Sequence, residues 1–197
     1  MKSIFKIEFI KTWNYPLFRV LIILHAILYL LVVAIGSQFE INIQGVNVSK
    51  LFSFPHIWDT FAWIGSWFNL LLGILVATLV SNEFQFKTLR KQIAEGVSRS
   101  DFIFGNLSVV FILSVYAFLL VTLSGLIIGF INTSDPFHSG IFGKFSVVLV
   151  LFIQAFAYLM LGMLFALIFR SNAMSIVFFI LFFVIIEPII RAFFPSY

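Results

Sequence analysis

Five stretches of this chain, about residues 17–37, 60–82, 103–131, 145–169 and 172–193, each stay apolar for some twenty residues or more. A helix crosses ~30 Å of hydrocarbon in roughly 20 residues, and within that layer its backbone must satisfy its own hydrogen bonds. Runs of this length commit the chain to an all-α, polytopic membrane bundle of five visible spans. Composition agrees: of 197 residues, 62% are hydrophobic and 10% charged, where soluble domains carry about a quarter charged. The intervening stretches leave no room for a soluble catalytic domain, so residues 1–197 read as one transmembrane domain. The third run outlasts the bilayer and must tilt, kink or start in the interface, with Asn106 and Ser108 favouring an interfacial start. Cysteine is absent, which excludes disulfides and thiolate metal sites.

The basic residues orient the spans. Lys2, Lys6, Lys11, Arg19, Lys87, Arg90, Lys91, Arg99 and Arg170 fall on one side, and only Lys50, Lys144 and Arg191 on the other. The positive-inside rule then places the N-terminus and residues 83–102 in the cytoplasm. Acidic residues divide evenly, so Lys and Arg alone create the bias. Residues 1–16 precede the first run, which is itself longer than the 7–15 residues of a signal-peptide core, so an uncleaved span is expected.

The most polar stretch between spans is residues 81–106, SNEFQFKTLRKQIAEGVSRSDFIFGN. On a helix, Phe86, Leu89, Ile93 and Val97 form a narrow apolar stripe, within about 80° of one another. Lys87, Thr88, Lys91 and Glu95 take the opposite face, with Lys91 and Glu95 spaced for an i, i+4 pair. Gly96 can end that helix through a positive φ, and Ser98 to Asp101 has the S-x-x-D form of a capping box for the next one. Two readings stay open on these residues alone. The segment is a loop that enforces topology and meets anionic headgroups, or an amphipathic helix that docks in the groove of a cytoplasmic partner. A membrane-surface helix shares the pattern.

The successions EFQFKTLR and VSRSDFIFGN resemble the permease subunits of ABC transporters of the type-2 exporter family. Glu83, Thr88, Leu89, Arg90, Val97, Ser98, Arg99 and Gly105 match the family pattern. Lys87 stands where the family has Gly, Gly96 where it has Pro, and Asn106 where it has Lys. The resemblance implies that residues 83–102 hold a coupling helix, with Leu89 and Ile93 as packing anchors on a separate cytoplasmic ATP-binding subunit. Arg90, Lys91 and Arg99 would supply rim contacts, and Glu83 would pair with one of those bases. ATP and Mg would sit on that partner subunit and none on this chain. A second permease copy or a sister permease would complete the transporter, in the cytoplasmic (inner) membrane and with no nucleic acid involved. The family usually has six spans, so a further span is expected beyond the five.

Residues 1–16, with Trp13 and Tyr15 at headgroup depth, fit an N-terminal interfacial elbow helix, although their charges segregate poorly. Small residues recur four apart, at Gly73 and Ala77, Gly125 and Gly129, and Gly162 and Ala166, and serve close packing within one bundle. Among polar groups inside the spans, His25, Asn69, Thr78, Gln154 and Tyr158 are expected to hydrogen-bond between helices. Asn69, Gln154 and Tyr158 are also the candidates for a substrate path. Glu187 and Arg191, four apart beside Pro188, are candidates for an outer gate or an interfacial ion pair. His56 with Asp59 and Asp135 with His138 give two ligands each where a metal site wants three or four, so surface roles are expected. No phosphate loop G-x-x-x-x-G-K-[ST] occurs, Gly143-Lys144 being followed by Phe145, and no nucleophile, base and orienter assemble. Two other functions fit the composition. A membrane-embedded enzyme needs clustered carboxylates or histidines at one depth, whereas a non-catalytic assembly protein needs neither.

Overall fold

The computed structural model describes residues 12–38, 42–43, 46–94, 96, 98–137 and 140–193. Helix α1 spans Pro16–Ser37, and Pro16 opens it because the first helical turn has no use for its missing N–H. Two-residue strands β1 (Asn42–Ile43) and β2 (Val46–Asn47) pair antiparallel, followed by a 3-10 turn at Val48–Phe52. The second span is α2, Ile57–Gln85. The short α3 covers Thr88–Ala94, α4 covers Arg99–Asn132 and α5 covers Ser146–Phe169. The fifth span is composite: α6 (Asn172–Leu181), a π-helical turn (Phe182–Ile186) and α7 (Glu187–Phe193). Among the described residues, five helices are thus long and apolar enough to cross a membrane.

The second and third spans are longer than their apolar runs. At 1.5 Å per residue, α2 reaches about 43 Å and α4 about 51 Å, so both overrun a ~30 Å hydrocarbon layer. For α4 the extra length lies at its start, where polar residues from Arg99 onward are already helical. The wide turn in the fifth span has a local cause. Pro188 has no N–H to give the carbonyl four residues back, and the chain loosens just before it, the Glu187 N–H reaching Phe182 O.

The helices divide between two compact units. One takes the chain to Leu21, Leu70–Ile112 and the chain from Ala157 onward; the other takes Ile22–Asn69 and Leu113–Phe156. The second unit is built on aromatics. Trp58 is fully buried, its indole Nε1 donating to Ile141 O (2.5 Å) and its ring edge-on to Phe145 at 5.1 Å. Gly125 makes that burial possible, since a Cβ there would lie 2.8 Å from the Trp58 ring, and Gly129 makes the same room for Phe54. Tyr29, also fully buried, lies edge-on to Phe68 and accepts a hydrogen bond from Ser124 Oγ (3.3 Å). His25 and Tyr116 share a further bond at 3.2 Å. Of the intramembrane polar residues expected to bond between helices, His25 does so, joining α1 to α4, whereas Asn69 does not.

In the first unit the close approach is between backbones. A Cβ on Gly162 would stand 2.7 Å from Gly73 O, so α5 and α2 touch there, and a Cβ on Gly73 would strike the Phe179 ring. Ala77 and Ala166 are fully buried one turn further along each helix. The small-residue pairs therefore serve packing within the chain, in the first unit against both a neighbouring backbone and a ring and in the second against rings. Ser81 Oγ donates to Ser175 Oγ (3.1 Å), tying α2 to α6 through two fully buried hydroxyls.

Candidate functional site

The basic segment after the second span folds as a short helix between two sharp breaks. Helix α2 ends as the Phe86 N–H reaches Asn82 O (2.9 Å) and the Lys87 N–H reaches Phe84 O (3.2 Å). Lys87 then adopts φ 56°, which turns the chain out of the span axis. The Thr88 hydroxyl opens α3 and donates back to Glu83 O at 3.1 Å, so one side chain satisfies a terminal carbonyl of the helix before it. Gly96 closes α3 with φ 95°, its N–H bonding Ile93 O.

Helix α4 then starts with the expected cap. The Asp101 N–H donates to Ser98 Oγ (3.1 Å), and the Ser98 hydroxyl donates to Asp101 Oδ2 (2.7 Å). An N-cap of this kind is worth about 1 kcal/mol. Ser98→Ala is therefore expected to speed hydrogen exchange of the Asp101 and Phe102 amides by roughly fivefold, with exchange at mid-helix unchanged.

The break at Lys87 corrects one expectation. Phe86 was expected on the apolar stripe of a continuous helix, but it lies in the turn before α3 and is 67% exposed. Left-handed backbone at residue 87 explains the difference, because no α-helix runs through it. It also gives a physical reason for the Gly that the resembled family carries here. Of the rest of the stripe, Leu89 is half-buried and Ile93 is 42% exposed. Val97 and Glu95 lie outside the described residues, as do the side chains of Arg90, Lys91 and Arg99, so the Lys91–Glu95 pair and the rim contacts fall there too.

Glu83 is buried (6% exposed) on the last turns of α2. It borders two hollows within this unit. One is a cavity of about 170 Å³ whose wall includes Thr12, Tyr15, Asn82 and Asn106. The Tyr15 hydroxyl accepts a hydrogen bond from Asn82 Nδ2 (2.7 Å), which fastens the approach to the first span onto α2. Of the expected elbow helix, residues 12–14 are helical and residues 1–11 lie outside the described residues. The other hollow is an open groove of about 680 Å³ between α3 and the ends of α2, α4 and α5. Leu89 and Ile93 form its α3 side, and Lys87 and Arg170 stand at it. Arg170 had no part in the sequence expectations beyond topology. Its position directly after the last residue of a span, as the first of a two-residue break, is the signal that could have marked it.

The remaining candidates lie apart from this segment in the chain. Asn69 is 1% exposed, with neither amide atom hydrogen-bonded. Tyr158 is buried with its ring 5.2 Å from that of Phe183, and Gln154 stands four residues before it on α5. Glu187 opens α7, while the Arg191 side chain lies outside the described residues, so their ion pair does too. His56 and Asp59 are half-exposed and joined by Lys144, whose Nζ lies 2.5 Å from Asp59 Oδ2 and 3.3 Å from His56 Nδ1. His138 is outside the described residues, and among those described no three His, Asp or Glu gather in a metal-binding group.

A family model for an ABC-2 family transporter protein matches residues 4–186. No curated protein and no solved structure matches the chain. The family is a transport component rather than a catalyst, and it works in general with an ATP-binding partner. Spanning helices, a helical break after the second of them and a family match over nearly the whole sequence agree: this multi-pass membrane protein belongs to the ABC-2 family of transporter proteins, as a permease.

Proposed function

We propose that this permease is the membrane half of an ATP-driven exporter and that residues 83–99 seat its cytoplasmic ATP-binding subunit. The observation that carries the reading is α3 itself. It is seven residues long, set off by left-handed breaks at Lys87 and Gly96, tied to α2 by the Thr88 hydroxyl and followed at once by the capped start of α4. A short helix held between two spans by tight turns moves when they move, which is what coupling to a closing ATPase dimer requires. Phe86, in the turn before α3, and Ile93 on it are exposed large apolar side chains. Leu89, Arg90, Lys91 and Arg99 complete the contact, and Glu83 anchors its base.

In this reading ATP and Mg are bound by the partner, and transport proceeds by alternating access of the spans. The N-terminus faces the cytoplasm, in the inner membrane of a cell whose basic loops stay inside. A second permease, identical or sister, completes the transporter, and the first and fifth spans, the least covered within the chain, offer it surface. Asn69, buried without hydrogen-bond partners, leads the substrate path with Gln154 and Tyr158, and Glu187 with Arg191 forms the outer gate.

Affinity purification of the tagged full chain with a co-expressed ATP-binding subunit tests the reading. The subunit is expected to co-purify, and deletion of residues 86–99 is expected to abolish its recovery while the permease still reaches the membrane. A subunit recovered equally well after that deletion overturns the reading.

A further inference from the structure

We propose that the groove between α3 and the ends of α2, α4 and α5 binds the headgroup of an anionic phospholipid from the surrounding bilayer. Its volume is about 680 Å³, and it combines two cations with apolar walls. The cations are Lys87 and Arg170, both exposed. Each stands where the backbone turns left-handed, at φ 56° and φ 51°, a conformation that L-residues with a Cβ resist and glycine accepts freely. Among the described residues these are the two non-glycine positions with positive φ. Both are basic, and both open onto the same groove. A cation at either strained turn has a role that a bare turn lacks.

The arrangement favours a lipid over a soluble protein. Arg170 directly follows the last residue of α5 and Lys87 lies two residues beyond α2, so both charges sit where spans end. The apolar wall reaches inward from there: Leu167 belongs to the span α5 itself, where a soluble subunit does not penetrate, and Phe102 continues the wall at the start of α4. The Arg170 guanidinium lies 5.8 Å from the centre of the Phe84 ring, a cation–π contact that holds it over the groove. Glu83 also borders the groove but is buried, so the two exposed cations set the charge of its mouth. Basic pockets between spans at the cytoplasmic surface recognise anionic headgroups, with the glycerol and first acyl carbons against the apolar side. The groove shares Leu89 and Ile93 with the proposed contact to the ATP-binding subunit, so lipid retention is read on the permease alone.

The test uses the purified full chain in lipid nanodiscs, comparing retention of phosphatidylglycerol with phosphatidylcholine of the same acyl chains by native mass spectrometry. The wild type is expected to retain phosphatidylglycerol in preference. Lys87→Gly and Arg170→Gly are each expected to lower that preference about fivefold, and the double variant about thirtyfold. Because glycine fits both turns without strain, these variants should melt no lower than the wild type. Swapping the charges, Lys87→Arg with Arg170→Lys, should keep the preference. As a charge-matched control, Arg19→Gln with Lys50→Gln removes two exposed cations elsewhere and should change little. Leu167→Trp fills the apolar wall with both charges intact and should also expel the lipid. An unchanged preference in the double glycine variant, or an equal fall in the control, overturns the proposal. Retention of the lipid in Leu167→Trp does the same. So does a double glycine variant that keeps the lipid but loses the ATP-binding subunit, which would give the groove to the protein partner.

Discussion

Phe86→Ala is expected to weaken binding of the ATP-binding subunit by roughly thirtyfold or more, with permease expression and melting temperature unchanged. An aromatic anchor lost from the centre of an interface commonly costs about 2 kcal/mol or more, which sets that scale. Phe86 is the candidate because of its position: the break at Lys87 turns it out of α2 and leaves it 67% exposed. With most of its ring already uncovered, it contributes little to the chain's own packing. Ile93, at 42% exposure, has less free surface, and Ile93→Ala is expected to weaken binding by about fivefold. Titration of purified ATP-binding subunit onto nanodisc-embedded permease would separate the two. Equal affinity for wild type and Phe86→Ala would move the docking surface elsewhere.

Trp58→Ala should lower the melting temperature by roughly 10 °C, the largest stability effect expected from one substitution in the second unit. In a membrane protein such a loss arises from packing and hydrogen bonding, since lipid is as apolar as the protein interior. Trp58 holds both: its ring fills the space left by Gly125 against Phe145 and Phe54, and its Nε1 satisfies Ile141 O. Removing it leaves a void and an unpaired carbonyl, together about 3–5 kcal/mol. Trp63 and Trp67 provide the control on the same helix. They are 63% and 58% exposed, so Trp63→Ala and Trp67→Ala are expected to shift the melting temperature by only about a degree. A thermal shift series in one detergent measures all three. Equal effects at the three positions would mean that Trp58 is not the keystone its burial implies.

The spans were legible because the requirement that creates them is one-dimensional: enough consecutive apolar residues to cross a bilayer. The Ser98 cap was legible for a similar reason, being a local spacing of donor and acceptor. The break at Lys87 was not. Lysine has no sequence preference for a left-handed turn, so the stripe through Phe86 and Leu89 looked continuous until the backbone divided it. The partners of the glycines were hidden too. Gly125 and Gly162 have the same spacing pattern in sequence, yet one accommodates an indole and the other a carbonyl. Only the neighbouring chain decides that. Arg170 was counted for its charge, while its contact with Phe84 and its place at the groove depend on residues 86 positions away in sequence.

The loosened turn at Phe182–Ile186 acts as a phase shift in the last span. Accommodating one extra residue there rotates everything after it by about 100° relative to an unbroken helix. Glu187 and the residues of α7 therefore address a different azimuth from the one a helical wheel drawn on α6 assigns them. A variant lacking a single residue within 182–186 can close this turn into an unbroken α-helix, and Glu187 and α7 would then keep nearly the azimuth they already have.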